Sequence, residues 1–245
     1  MDLVRKTYIR GNLKVGFELS ATAATVHTES TSAVAEETLR IGVVEMVPAS
    51  IKKWISISDE VMDLAGEEFL DYIYDELTYQ IAKKAQAELI AKITALTGSA
   101  TTQAVAVGIV AGSPSIGIVA EALGSLSDEA TNPVIVMNKG TWAQFKAAQY
   151  AGSFNVDPFE GLPVHFDSSL PAYTSSTATL ASGTAYMIVG DFGQGALANF
   201  PNGDEIRIKF DDTSLAEKDL VKIVGREYVG LGVVADHCFA KIVQG

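Results

Sequence analysis

Apolar positions along this 245-residue chain fall into two different periods, and the change from one to the other marks out its elements. Over residues 14–19, Val15, Phe17 and Leu19 alternate with small or polar residues, and the alternation returns at Ile41 and Val43 and again at Ile55 and Ile57. A period of two is that of a strand with one covered face. Between these runs, residues 20–38 (SATAATVHTESTSAVAEET) are rich in Ser, Thr and Ala and hold no Gly, Pro or aromatic residue. Such a stretch reads as the tip of a long hairpin standing clear of any core, a projecting arm.

The period then lengthens. SDEVMDLA opens on Ser58, a good N-cap, and Gly66 ends the short helix it predicts. Across residues 67–98, Leu70, Ile73, Leu77, Ile81, Ala85, Leu89, Ile93 and Leu96 are spaced by threes and fours, which makes one helical stripe. Glu67 and Glu68 at its start, Lys83, Lys84 and Lys92 further along, and Gly98 as the expected stop agree with that period. About 30 residues give a rod of roughly 45 Å. A rod of that length needs packing along its side, and a sheet would supply it. The rest alternates short elements: a helix near 115–126, a strand at 133–137, a helix at 141–150, and loops at 154–163 and 168–183. A strand carrying Ile206, Ile208 and Phe210, then VKIVGREYVGLGVV and CFAKIV, form a terminal group of strands expected to cover the long helix. The layout is α+β.

Composition adds that the chain can bury a sizeable core, with 48% hydrophobic and 20% charged residues. The formal charge of −12 opposes the electrostatics of a protein that neutralises phosphates, so sequence-specific nucleic-acid binding is not expected. Arg5, Lys6, Arg10 and Lys14 form a local basic run, read as a solvated arm. The one cysteine, Cys238, cannot form an intrachain disulfide. No charged-then-apolar leader and no apolar run long enough for a membrane span occurs, so neither secretion nor a membrane partner is indicated and a reducing cytoplasm is expected.

Candidate chemistry changes the picture little. AYMIVGDFGQG, residues 185–195, holds a DFG triplet, but no HRD loop or strand lysine precedes it as a kinase requires. Gly190, Gly193 and Gly195 also miss the spacing of a dinucleotide fingerprint and run on to Pro201 and Gly203, which suits a strand-to-loop turn. His27, His165 and His237 sit in separate segments without partners at a metal-ligand spacing. His237 and Cys238, read as strand neighbours, point to opposite faces and cannot serve as base and nucleophile. Asp71, Asp75 and Glu76 read as a solvated helix face. No acid, base, nucleophile and oxyanion donor combine into one site, so no catalytic residue, cofactor or metal is expected.

The order of elements is distinctive: an arm, a long two-stranded loop, a short helix, a spine helix, a mixed insert and returning strands. With residues 51–90 (IKKWISISDEVMDLAGEEFLDYIYDELTYQIAKKAQAELI), 132–145 (NPVIVMNKGTWAQF), 161–171 (GLPVHFDSSLP) and 222–243, the chain resembles the major capsid proteins of tailed bacteriophages, the Hong Kong ninety-seven-type fold, over nearly its whole length. The resemblance implies an N-terminal arm and extended E-loop over 1–57, a P-domain spine helix over 58–104, an inserted A-domain over 105–198 and P-domain strands over 199–245. It implies a structural protein of a phage or prophage head, assembling as pentamers and hexamers of an icosahedral shell around DNA, in the host bacterial cytoplasm and ending in the virion capsid. In that family A-domains meet around the axes and each E-loop lies over a neighbour's P-domain, so 185–195 becomes a strand returning from one domain to the other. A scaffold protein, a maturation protease and a portal are the further partners implied.

On that footing Val15, Phe17, Val43, Trp54 and Phe159 are the expected inter-subunit contacts, with the 158–163 stretch, and 20–38 is expected to be mobile in an isolated subunit. Some members cross-link an E-loop lysine to a P-domain asparagine. Here no lysine lies between Val15 and Ile51 and no asparagine follows Asn202, so that cross-link is not expected. Members often carry an N-terminal scaffolding segment or use a separate scaffold, and the short arm here leaves a separate scaffold and a processed chain both open. Two other readings compete: an encapsulin-type nanocompartment shell of the same fold, and an α+β enzyme or ligand-binding domain, which would need a pocket with convergent polar groups.

Overall fold

The computed structural model describes residues 2–21, 38–58, 60–61, 67–152, 156–173, 180–203 and 205–245. The expected arm tip therefore lies, apart from its first and last residues, outside the described residues, and so does most of the short helix after Ser58.

The α+β layout takes the form of one long helix, two five-stranded sheets and a two-stranded hairpin. The hairpin pairs β2 (Leu13–Ala21) with β3 (Leu39–Met46). Val47 and Pro48 then interrupt the strand, and β4 (Ala49–Ser58) leaves the hairpin to run antiparallel along β11 (Leu220–Val233) over ten paired positions. Of residues 1–57, expected as N-terminal arm and E-loop, β4 is part of the first five-stranded sheet. That sheet also contains β1 (Arg5–Thr7), β9 (Ala196–Asn199) and β10 (Arg207–Asp211).

The long helix α1 spans Glu67–Ala95. Its stripe is buried as the period requires: Ile73, Leu77, Ile81, Ala85, Leu89 and Ile93 are covered. Ile73 and Leu77 pack on Ile223 of β11, and Gly225 beside it lets the helix approach, since a Cβ there would lie 2.9 Å from Cδ1 of Ile81. Further along, Ala85, Leu89 and Ile93 enter a cluster shared with Val229, Leu231 and Val233. The helix stops at Ala95, before Gly98. Its free terminal carbonyls are met by Lys241, whose ammonium donates to the Thr94 and Leu96 carbonyls at 2.7 Å each. Burial holds that lysine's pKa below its ordinary value.

The second sheet has the order β5 (Gly108–Ala111), β12 (Phe239–Val243), β8 (Ala185–Gly190), β6 (Val134–Met137), β7 (Val164–Phe166). Both faces of its central strands are covered, which explains the unbroken apolar runs VIVM and YMIV. Ile135, Met137, Met187 and Val189 face α2 (Ile118–Gly124) and α3 (Lys139–Gly152), while Val134, Val136, Ile188 and Phe239 face the cluster around α1. The terminal strands thus divide: β11 lies on the helix in the first sheet, and β12, apolar on both faces, can be satisfied only at the centre of the second.

The basic N-terminal run is also more than a solvated arm. Arg5 and Lys6 keep exposed side chains, but their backbone pairs in parallel with β9. The fully buried Asn199 extends that pairing past the end of the strand: its Oδ1 accepts from the Ile9 amide at 2.9 Å, and its Nδ2 donates to the Ile9 carbonyl at 2.8 Å. Thr7 donates to the same Oδ1 at 3.2 Å. Replacing Asn199 by Ala leaves these groups unmet and should cost about 1–3 kcal/mol. Hydrogen exchange should show the loss first at residues 5–9, with the amides of the second sheet changed far less.

Candidate assembly surfaces

The hairpin carries apolar side chains on both faces. Its inward face holds Phe17, 7% exposed, together with Leu19 and Val44 against the main cluster. Val15 is half-buried beside Met46, Leu197 and Val234. Its outward face holds Leu39, Ile41 and Val43, which are 62%, 61% and 43% exposed. Val43 also anchors the hairpin through its backbone, its amide donating to the Thr102 carbonyl at 2.8 Å. Of the three hairpin residues expected to meet a neighbour, Val43 is therefore free to do so, Val15 partly, and Phe17 is enclosed by its own chain. The phase of Phe17 on the strand points it inward, where the ring lies over the glycine opposite, Gly42.

Trp54 is 56% exposed on the face of the first sheet opposite α1. Residues directly opposed across β10, β11 and β4 share a face. One row on Trp54's face is therefore Arg207, Arg226, Lys52; the next is Lys209, Val224, Trp54; the third is Asp211, Lys222, Ser56. The Lys222 ammonium stands 4.6 Å from the Trp54 ring centroid, and the Arg226 guanidinium 5.1 Å from that of Tyr228. At the sheet's edge Asp211 is held below the ordinary carboxylate range, first by its hydrogen bond from the Ser214 hydroxyl.

Phe159 is 5% exposed, packed at 5.6 Å from Phe145 of α3 with the Lys146 ammonium 5.0 Å from its ring. It supports the turn at residues 157–161 from inside, where the Asp157 carboxylate accepts from the Phe159 and Gly161 amides. Phe159, put forward as a contact with a neighbour, occupies a buried position in its own chain. What that region exposes instead is Trp142, Tyr150, Val156 and Phe166.

A cleft of about 330 Å³ between α1 and the second sheet has both apolar lining, such as Leu3, Leu89 and Phe192, and polar lining, from Asp2, Gln86, His165 and Asp167. His165 lines it but is exposed. His237 lies in a turn with φ of 49°, not in a strand as expected, and its Nδ1 is 2.9 Å from Asp236 Oδ2. Cys238 is buried, and that burial, with the carboxylates of Asp191, Glu129 and Asp236, raises its thiol pKa. His27 lies outside the described residues. Among the described residues no three His, Cys, Asp or Glu side chains gather as metal ligands would.

The sequence model of a family described as the phage capsid family matches residues 1–243. The chain belongs to the phage capsid family. Solved structures agree in fold. A chain from "Capsid of empty GTA particle computed with C5 symmetry" aligns with a TM-score of 0.74 at 16% identity, covering 100% of this chain and 88% of that one. One from Mycobacterium phage Bobi aligns at 0.68 and 15% identity, covering 100% and 89%. One from the capsid of cyanophage P-SCSP1u aligns at 0.66 and 11% identity, covering 99% and 86%. No curated protein sequence matches. The chain is a structural capsid protein, and the nanocompartment-shell and enzyme readings are not favoured.

In this capsid fold the DFG stretch is a crossing between sheets. β8 ends at Gly190, the one-turn helix α4 (Phe192–Gly195) follows, and β9 begins in the other sheet. Asp191 caps the turn: its Oδ1 accepts from the Gly193 and Gln194 amides at 2.9 and 3.2 Å, and its Oδ2 from the Asn132 amide at 3.0 Å. Gly190 and Gly195 are needed for a close approach, since a Cβ on either would run into Cys238 or Phe239. Asp191→Ala strips a 4%-exposed acceptor from three amides. It should lower stability by about 1–3 kcal/mol in a denaturant titration, and Asp191→Asn, which keeps the capping oxygen and loses only the acceptor for the Asn132 amide, should be the milder variant.

Proposed function

We propose that this chain is the shell-forming subunit of a tailed-phage or prophage head, assembling through pentamers and hexamers into an icosahedral container for DNA in the host bacterial cytoplasm. The observation that carries the reading is the family match over residues 1–243 together with a fold shared, over the full chain, with a capsid particle solved with C5 symmetry. In this reading the first sheet and α1 are the peripheral domain, and the second sheet with α2 and α3 is the axial domain that faces the symmetry axes. The hairpin β2–β3 is the E-loop and reaches over the neighbouring subunit.

The physical chemistry supports the division. The second sheet is covered on both faces within the chain, so its loops and edge are what it offers to neighbours. The hairpin, by contrast, leaves Leu39, Ile41 and Val43 uncovered, a contiguous apolar strip of the kind a partner surface covers. An isolated two-stranded ribbon is marginal, and a neighbour supplies the third layer. Of the residues put forward from sequence, Val43 and Trp54 keep the interface role, and Val15 shares it at the hairpin base. A scaffold protein, a maturation protease and a portal are the partners this role calls for.

The test is electron microscopy of the purified chain at high concentration, with light scattering for mass. Closed shells or five- and sixfold rings are expected, and a strict monomer at every concentration and salt tried would count against the reading. On a denaturing gel the assembled particles should run as single chains, because the E-loop lacks a lysine between Val15 and Ile51 and no asparagine follows Asn202. A ladder of covalent multimers would contradict this.

A further inference from the structure

The second sheet ends on an unpaired strand edge that runs beside a groove. β7 is the last strand of that sheet and pairs only with β6, in parallel. The Ile135 amide donates to the Pro163 carbonyl at 2.9 Å and the Asp167 amide to the Met137 carbonyl at 3.0 Å, so the odd-numbered residues of this stretch face β6. Alternation then turns the amides and carbonyls of Val164 and Phe166 outwards, and among the described residues no strand pairs with that edge. Next to it, the cleft of about 330 Å³ beside α1 runs on into a hollow of about 180 Å³, the two sharing Gln86, Phe166 and Asp167. Together they form one groove that reaches from Leu3 to Tyr79.

We infer that this groove docks an extended, basic segment of a second protein, which adds to the free edge of β7 and lays one lysine or arginine across the cleft, an interaction separate from the contacts between copies. The lining carries the choice of partner. The floor of the cleft is apolar, with Val4, Leu89, Ile90, Val136 and Phe192 all buried. Its ionisable lining is Asp2, Asp167 and His165, without a lysine or arginine. Among the described residues neither carboxylate is in an ion pair. Asp167 accepts from the Ser169 amide at 2.7 Å through Oδ1 alone, which leaves Oδ2 for a ligand. Lys83 and Lys139 stand over the rings of Tyr79 and Phe166, at 5.8 and 5.7 Å, and neither lines the cleft. An apolar floor below carboxylate acceptors suits a side chain with an apolar stem and a cationic end.

Length agrees with an extended chain. From Tyr79 to Ile90 the helix rises about 17 Å, the span of about five residues of a strand. Leu3, Phe166 and Tyr79, which are 40%, 49% and 59% exposed, border that span as further apolar contacts. Pairing along a strand edge supplies affinity, and a pocket for every second side chain supplies selectivity. Nucleic acid is the poorer occupant, because it brings phosphates towards Asp2 and Asp167 and has no backbone that continues a sheet. A second copy of this chain, with 30 acidic residues against 18 basic ones, meets the same carboxylates with an anionic average surface.

The experiment uses the full chain and a set of capped, fluorescein-labelled peptides of about seven residues, each with one arginine or lysine between β-branched residues. Matched peptides carry glutamate or norleucine in place of the basic residue. By fluorescence anisotropy the basic peptides should bind roughly tenfold or more tighter than the glutamate set, with the norleucine set between them. Asp2→Asn/Asp167→Asn should remove most of that preference, and Gln86→Trp, which fills the groove from α1, should remove binding. Glu121→Gln/Asp128→Asn, the same charge change at exposed positions outside the groove, should alter little. Circular dichroism confirms folding of each variant. Hydrogen exchange with a basic peptide bound should show new protection at the Val164 and Phe166 amides. The proposal is overturned when no basic peptide binds at millimolar concentration, when the groove variants bind like the control, or when bound peptide leaves those two amides unprotected. An oligonucleotide held by wild type and lost in Gln86→Trp, or self-association lost in that variant without any peptide binding, gives the groove to another occupant and overturns it as well. Failure of the shell reading shows separately, as a chain that forms no oligomer, and leaves the peptide result standing.

Discussion

The two sheets of this subunit are one body because the chain crosses between them twice at the same place. The segment 190–196 carries β8 into β9, the segment 233–239 carries β11 into β12, and the two crossings bond to each other. The Asp191 amide donates to the Cys238 carbonyl at 3.0 Å, and the Val234 amide donates to the Gly195 carbonyl at 2.8 Å. The rings of Phe192 and Phe239 meet edge to face at 4.9 Å over the same spot. Side chains larger than hydrogen at 190 and 195 would separate the crossings, so the glycines that first suggest a nucleotide site are there for packing. A third tie comes from Asp236, whose carboxylate accepts from the Ala106 amide at 2.6 Å just ahead of β5. A subunit whose contacts must repeat around a shell gains from such a weld, since a hinge between its sheets would make every interface angle variable.

The long helix runs past both sheets and ties them further, and it was also the most legible element in the sequence. Its period of three and four survives because a single stripe faces a single direction, whatever lies there. The ends were less legible for a physical reason. The sequence offers Gly98 as the stop, yet the terminal carbonyls are met earlier by Lys241, a residue 145 or more positions away that no local pattern announces. The same holds for Asn199 clasping Ile9. Side chains that cap or extend backbone from a distance are invisible to periodicity, which reports burial and not partnership.

Strand alternation misled in a related way. Ile41 and Val43 mark β3 correctly, but the side they occupy is the exposed one, and Gly42, Val44 and Met46 face the core. Apolar phase equals core phase only where the other face is polar, and β3 carries apolar side chains on both. Phe17 and Phe159 show the converse. Position in the loop and in the 158–163 stretch put both forward from sequence, and packing against Gly42 and Phe145 encloses them within the chain. The family, read from the order and spacing of elements, did not depend on these details and so survived their correction, whereas individual contact residues depend on which face of a strand is which.

Charge and burial divide the labour in the first sheet. The face towards α1 holds Ile55, Ile57, Val221, Ile223 and Val229, and it is what stabilises the subunit. The opposite face holds three cations in one row and an exposed indole, features that weaken an isolated sheet rather than strengthen it. A few such unfavourable placements can be carried because the helix and the crossings hold β11 along its whole length. Within the subunit, burial draws on one face of these three strands and leaves the charged side chains of the other in solvent. Charge on the outer face can therefore vary without loosening the packing of the inner one.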